Sequence, residues 1–215
     1  MKKILCLGAF VALTLTCNAG YSADACTTLT ATGHPQYPAV AFKDGDHIAG
    51  AAPMLVEAIG KELKIPVASK FMGSWADAQA AAREGKADVI FGIYYNDERA
   101  TYLDYVQPAF MFDPVVVFVA KGKGFTFKGQ DDLIGKKGVT NQGESYGTEF
   151  DTFIKDKLTV ARADGIDDAF KDLLAGKAEY VIAGYYPGIA EAAKQGISDQ
   201  VEPLDPALLS AEMFV

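Results

Sequence analysis

The segment "KADVIFGIYYNDERATYLDYVQPAF", residues 86 to 110, carries a single arginine, Arg99, among aspartates, glutamates and tyrosines. A guanidinium is planar, permanently charged and forked, so it pairs with a carboxylate through two parallel hydrogen bonds. Two uses are open for it here: holding an anionic partner, or forming a surface ion pair with Asp97 or Asp104. Groups for bond-making chemistry are scarce. The chain has two histidines, His34 and His47, and lacks an HExxH pair, a nucleophile elbow and a phosphate-cradling glycine loop. Nothing calls for a metal or a cofactor. The glycines of "GQDDLIGKKG" and "NQGESYG" read as turns and helix boundaries.

Alternating strand and helix patterns must position these residues. "PMLVEAIGKEL" has Pro53 in a first-turn position and Leu55, Ile59 and Leu63 four apart, the spacing of one face of an amphipathic helix. "SWADAQAAAREG" begins with Ser74 as an N-cap and ends at Gly85 before the strand "ADVIF". Further on, "TEFDTFIKDKL", "LTVAR", "IDDAFKDLLAG", "EYVIAG" and "PGIAEAAKQG" continue the alternation. The class is α/β with a largely parallel sheet in each half. An internal echo supports two similar lobes: "REGKADVIFGIYY" (83–95) and "LAGKAEYVIAGYY" (174–186) share a Gly-Lys-Ala, an acid, an apolar strand, a glycine and a tyrosine pair. Each copy puts glycine and tyrosine at the carboxyl end of a strand, where open α/β sheets hold ligands. The β-branched run "FDPVVVFVAKGKG" is expected to cross between lobes, which implies a cleft and a hinge.

The N-terminus reads as an export signal. Lys2 and Lys3 precede an apolar run from Ile4 to about Cys17, and small residues end in Ala23-Asp24-Ala25. The run is shorter than the ~20 apolar residues needed to span a bilayer. Cleavage of residues 1–25 would make the net charge of −8 one unit more negative and leave Cys26 as the remaining cysteine. Its partner, if it has one, is expected beyond residue 215, because "LSAEMFV" reads as the start of a further strand and the sequence as truncated there. The acidic balance argues against nucleic acid or an anionic membrane surface as partner.

The succession "YPAVAFKDGDHIAG", "MLVEAIGKEL", "GSWADAQAAAREGKADVIFG", "NDERATYLDYVQPAF", "VVVFVAKG", "DDLIGKKGV" and "AFKDLLAGKAEYVIAG" resembles the periplasmic solute-binding proteins of amino-acid ABC importers, from about Thr30 to the end. The block from Trp75 through Arg99 to Phe110 carries most of the likeness. The resemblance implies the two-lobed type II periplasmic-binding fold, each lobe a mostly parallel sheet flanked by helices, joined by two hinge crossings. Residues 26–115 would form lobe 1, completed by the chain from about 205 and a missing segment, and residues 116–204 lobe 2. It also implies a periplasmic monomer that binds a small carboxylate-bearing solute and meets an ABC permease in the inner membrane. By the same resemblance, Arg99 grips the carboxylate and the rings of Tyr37 and Trp75 wall the solute; backbone amides around Gly92 to Tyr94, at a strand end leading into a short helix, would add donors for the same oxygens.

The departures from the pattern concern the other end of the solute. Tyr94 replaces the usual Ser or Thr five residues before the arginine, and "QGESYG" brings Gly143, Glu144, Ser145 and Tyr146 where a Gly-Thr-Thr type of loop is usual. The aspartate that ends the later strand and holds an ammonium is Gly184 here, followed by Tyr185 and Tyr186, and Tyr185 is expected, with Tyr94 and Ser145, among the solute-binding residues. His34 stands close to the place of a missing acid near the first aromatic. The carboxylate of an amino acid is thus provided for and its usual amine site is not. Glu144 is the expected substitute, its other role being a first-turn helix acid facing solvent. A second reading is an enzyme on this scaffold, such as a dehydratase of a cyclic carboxylate with Glu144 or His34 as general acid. A third is a ligand sensor.

Overall fold

The computed structural model describes residues 27–215. The expected signal segment and Cys26 lie outside the described residues. Among these residues no helix is long and apolar enough to cross a membrane.

The first half is built on three parallel strands in the order β5-β1-β6: β1 (Leu29–Gly33), β5 (Val67–Ser69) and β6 (Val89–Phe91). An antiparallel meander of β2 (Gln36–Tyr37), β3 (Ala41–Asp44) and β4 (His47–Ala49) leads into helix α1 (Ala51–Leu63). Helix α2 (Trp75–Arg83) starts at a capping box: Asp77 N–H donates to the Ser74 hydroxyl, and the Asp77 carboxylate accepts from Ser74 N–H. Gly85 ends it in the left-handed region, φ 70°.

Helix α1 corrects the sequence expectation about its face. Its buried residues are Ala52, Pro53, Val56 and Gly60, whereas Leu55, Ile59 and Leu63 are exposed, Leu63 by 63%. The cause is close approach to β5: a Cβ on Gly60 would collide with Val67 and with the Ile65 carbonyl. Only the small-residue face can sit that near the backbone.

The second half contains β9 (Lys137–Asn141), β10 (Thr159–Ala163) and β11 (Tyr180–Gly184), parallel and ordered β10-β9-β11. It is flanked by α3 (Thr148–Lys157), α4 (Ile166–Leu174) and α5 (Tyr185–Lys194). The echo between halves breaks after the shared glycines. Beyond Gly92 the chain continues as the short strand β7 (Ile93–Tyr94), whereas beyond Gly184 it turns directly into α5.

One long strand joins the halves. β8 (Met111–Ala120) pairs antiparallel with β13 (Leu209–Phe214) through Met111 to Val115. Through Val115 to Ala120 it pairs with β11 on one side and with β12 (Val201–Pro203) on the other. Strand β13 returns along β8 to reach β7. The chain is therefore two-lobed α/β with two strand crossings, and β8 and β12 add antiparallel members to the second lobe's sheet.

Phe118, fully buried on β8, packs edge-to-face on Phe170 of α4, with ring centroids 5.3 Å apart. Phe118→Ala is expected to lose about 3–5 kcal/mol of stability, whereas Ile59→Ala on the outer face of α1 should change it by less than ~0.5 kcal/mol. Denaturant unfolding of the two variants checks the assigned faces.

Candidate functional site

The lobes meet over a line of polar and aromatic side chains. Arg99 opens a short 3-10 turn after β7, where its N–H donates to Asn96 Oδ1 at 2.7 Å. It is 3% exposed and forms no ion pair with Asp97 or Asp104. Its Nε donates to Gln79 Oε1 at 3.0 Å, one terminal nitrogen to the Tyr94 carbonyl at 2.9 Å, and the other to the Gly143 carbonyl of the opposite lobe at 3.1 Å. A guanidinium has five N–H donors, so each terminal nitrogen keeps one more. Gln79 lies one turn after Trp75 on α2 and also donates to the Gly143 carbonyl, at 3.1 Å.

Trp75 serves the lobe core and the cleft together. Its ring packs with Ala78, Ile90 and Ile93, while the Arg99 guanidinium lies 5.7 Å from its centroid and the His34 ring 4.9 Å away. Tyr37 is 5.4 Å from His34, so the imidazole stands between the two expected walls. Nδ1 of His34 accepts the Gln36 N–H at 2.9 Å, which puts the imidazole proton on Nε2. Nε2 donates across the cleft to Glu144 Oε1 at 2.9 Å.

Glu144 therefore does not face solvent at a helix start: α3 begins later, at Thr148, and the Glu144 side chain is 10% exposed. Burial pushes its pKa up, and the His34 hydrogen bond, the Arg99 charge and Asn141 outweigh that, leaving it below the ordinary value of 4.5. Ser145 is buried and accepts from Asn96 Nδ2 across the cleft at 2.6 Å, donating in turn to Asp151. Asp97 N–H donates to Thr148 Oγ1 at 2.9 Å, a further link between the lobes.

Two expected contributors are placed otherwise. The Gly92 N–H is taken by the Phe214 carbonyl in the sheet, so it is no free donor. Tyr185 is 37% exposed and packs on Tyr186 at 5.5 Å, outside the cleft residues. Tyr94, in contrast, is buried, and its hydroxyl donates to Asp113 Oδ2 at 2.8 Å, with the Tyr37 hydroxyl bonded to both. Burial first raises both phenol pKa values well above the ordinary range, followed by Tyr94 and then Asp113 for Tyr37, and by Asp113 for Tyr94.

Gln79, in the cleft, and Asp113, buried beneath the Tyr37 and Tyr94 hydroxyls, are residues that the sequence reading passed over. Asp113 had a signal: it is an acid inside the β-branched run of a crossing strand. Between the lobes, a cavity of about 770 Å³ is lined by Arg99, Gln79, Glu144, Ser145, Arg83 and Arg162. The described residues contain no group of three or more His, Cys, Asp or Glu placed to hold a metal ion.

Because the folded Glu144 pKa lies below its unfolded value, its stabilising contribution is complete above pH 4.5 and is lost as pH falls below that value through the folded pKa. Glu144→Gln should cost about 1.5–3 kcal/mol at pH 7 and flatten the decline in stability below pH 4.5. Denaturation across a pH series measures both, and a parallel acid limb in the variant would count against the pair.

Residues 29–165 match the family model of bacterial extracellular solute-binding proteins, family 3. No curated protein matches the chain by sequence. Among solved structures, a histidine kinase sensor domain with similarity to periplasmic binding proteins superposes with TM-score 0.74 at 21% identity, over 87% of this chain and 80% of that one. The holo form of ArgBP from T. maritima gives TM-score 0.72 at 21% identity, over 87% and 81%. A putative ABC-transporter binding component from Wolinella succinogenes, complexed with lysine, gives 0.71 at 21% identity, over 87% and 81%. At these identities the structures speak for the fold, and the family match covers most of the chain. With its two lobes and shared polar cleft, the chain belongs to the family 3 bacterial extracellular solute-binding proteins.

Proposed function

We propose that this protein captures a small carboxylate-bearing solute, an amino acid or related organic acid, between its lobes in the periplasm and delivers it as a monomer to an ABC permease of the inner membrane. The observation that carries this reading is Arg99. It is a buried guanidinium at the lobe junction, held by Gln79 and Tyr94 on its own side and bonded to a Gly143 carbonyl on the other. A carboxylate entering the cleft would replace a neutral carbonyl partner with a charged one, and charge-assisted bonds are roughly twice as strong. Ser145, Tyr37 and Trp75 are the neighbours that would complete the pocket, with the rings supplying rigid contact area at little entropic cost.

Capture in this scheme requires the His34–Glu144 and Arg99–Gly143 contacts to open, so the solute competes with bonds the protein makes to itself. Closure over the solute is then a population shift whose extent depends on the difference between these two sets of contacts. A second reading, a sensor domain reporting to a receptor, is favoured by the likeness to the histidine kinase sensor domain. Both share the binding step and differ in what reads the closed lobes.

The test is calorimetry with a panel of amino acids and organic carboxylates, with product analysis on every solute that binds. Arg99→Ala is expected to weaken binding by roughly 30-fold or more, and Arg99→Lys, which keeps the charge and loses the fork, by an intermediate amount. Trp75 is the only tryptophan of the chain, so solute binding should change the protein's fluorescence. Trp75→Phe should retain more affinity than Trp75→Ala. Unchanged affinity in Arg99→Ala would remove the carboxylate role, and turnover of a bound solute would replace capture by catalysis.

A further inference from the structure

His34 is 2% exposed, and its ring lies between those of Tyr37, 5.4 Å away, and Trp75, 4.9 Å away. The cavity that His34, Tyr37, Glu144 and Gly184 line holds about 10 Å³, no more than a single water needs. The imidazole therefore fills the seat that the two rings would offer a solute. Two bonds fix it there. Nδ1 accepts the Gln36 N–H of its own lobe, and Nε2 donates to Glu144 Oε1 of the other lobe, an oxygen that Asn141 Nδ2 also reaches at 3.4 Å.

The second lobe is shaped to receive the first around this seat. A Cβ built on Gly184, at the end of β11, would lie 2.2 Å from both Asp113 Oδ2 and the Tyr37 hydroxyl. One on Gly165 would lie 2.5 Å from Gln36 Oε1, and one on Gly143 would lie 3.1 Å from Gln79 Nε2. Three lobe-2 positions without side chains thus make room for three side chains of lobe 1. The Gln36 amide also donates across to Asp167 Oδ1 of α4 at 3.2 Å, besides the bonds to Gly143, Ser145 and Thr148 described above. Every partner in this closure belongs to the chain itself.

We propose that His34 is a built-in occupant of the solute's seat and, with Glu144, an autoinhibitory latch that closes the lobes on the protein itself. Because Nδ1 is tied to its own lobe, parting the lobes breaks the latch and leaves the imidazole between the rings. Admission of a solute then takes two steps, separation of His34 from Glu144 and withdrawal of the ring from between Tyr37 and Trp75. The latch goes beyond the capture reading, and its test uses no solute, so the failure of one is distinguishable from the failure of the other.

The experiment is small-angle X-ray scattering together with acrylamide quenching of Trp75, on the full chain after exhaustive dialysis, for the wild type, Glu144→Ala and His34→Ala. The wild type is expected to scatter as the closed two-lobed shape. Loss of a hydrogen bond to a charged group should lower the closed-to-open ratio by roughly 10-fold or more, so Glu144→Ala should have a larger radius of gyration than the wild type. His34→Ala should expand in the same way and also show more quenching than Glu144→Ala, because it alone removes the ring that covers the indole. A purely structural role for His34 would not separate the two readouts. Cooperative denaturant unfolding checks that each variant is folded, and Glu144→Ala carries the latch test if His34→Ala is not. A wild type as expanded as the variants, or variants as compact as the wild type, would overturn the latch. Equal quenching in the two variants would remove His34 from the seat.

Discussion

Strand β8 hydrogen-bonds β13 through its first half and β11 and β12 through its second, so the second lobe's sheet runs on through β13 to β7, a strand of the first half. This shared strand sets the rest of the arrangement. It places Asp113 at the crossing, and it carries the inward Val115, Val117 and Phe118 that anchor two separate core clusters. The return strand β13 then ends against β7, the strand that holds Tyr94. Pairing between backbones thereby decides how far apart the two faces of the cleft can be.

Within that frame the cleft is a problem of buried charge. Arg99, Glu144 and Asp113 are all removed from water, and each is answered differently. Arg99 is dissolved in carbonyl and amide oxygens, Glu144 in an imidazole N–H, and Asp113 in two phenols with one oxygen left over. Desolvation makes each of these contacts stronger than it would be in water and makes each missing one expensive.

The fold was legible in the sequence because its signals are local. Ser74 with Asp77, Gly85, and the strand and helix patterns from residue 148 onward depend on neighbours within one turn or one strand. The face of α1 was not, because periodicity shows that Leu55, Ile59 and Leu63 share a side but not which side the sheet will approach. Gly60, a single small residue, decided that through its contact with Val67. In the cleft, the grouping of Arg99, Trp75 and Tyr37 followed from family pattern. The pairing of His34 with Glu144 joins residues 110 positions apart, and the position of Asp113 against Gly184 depends on the pairing of β8 with β11. No local spacing encodes either.

The Asp97–Thr148 bond crosses between the lobes through two residues that do not line the cavity. Bonds of this kind act on the open and closed populations without touching the solute. Each one that persists on closure lengthens the residence time of whatever is enclosed, and each one removed shortens it while the selectivity among solutes stays the same. Strength of retention and choice of solute are thus written in different residues, and the first can drift under mutation while the second holds.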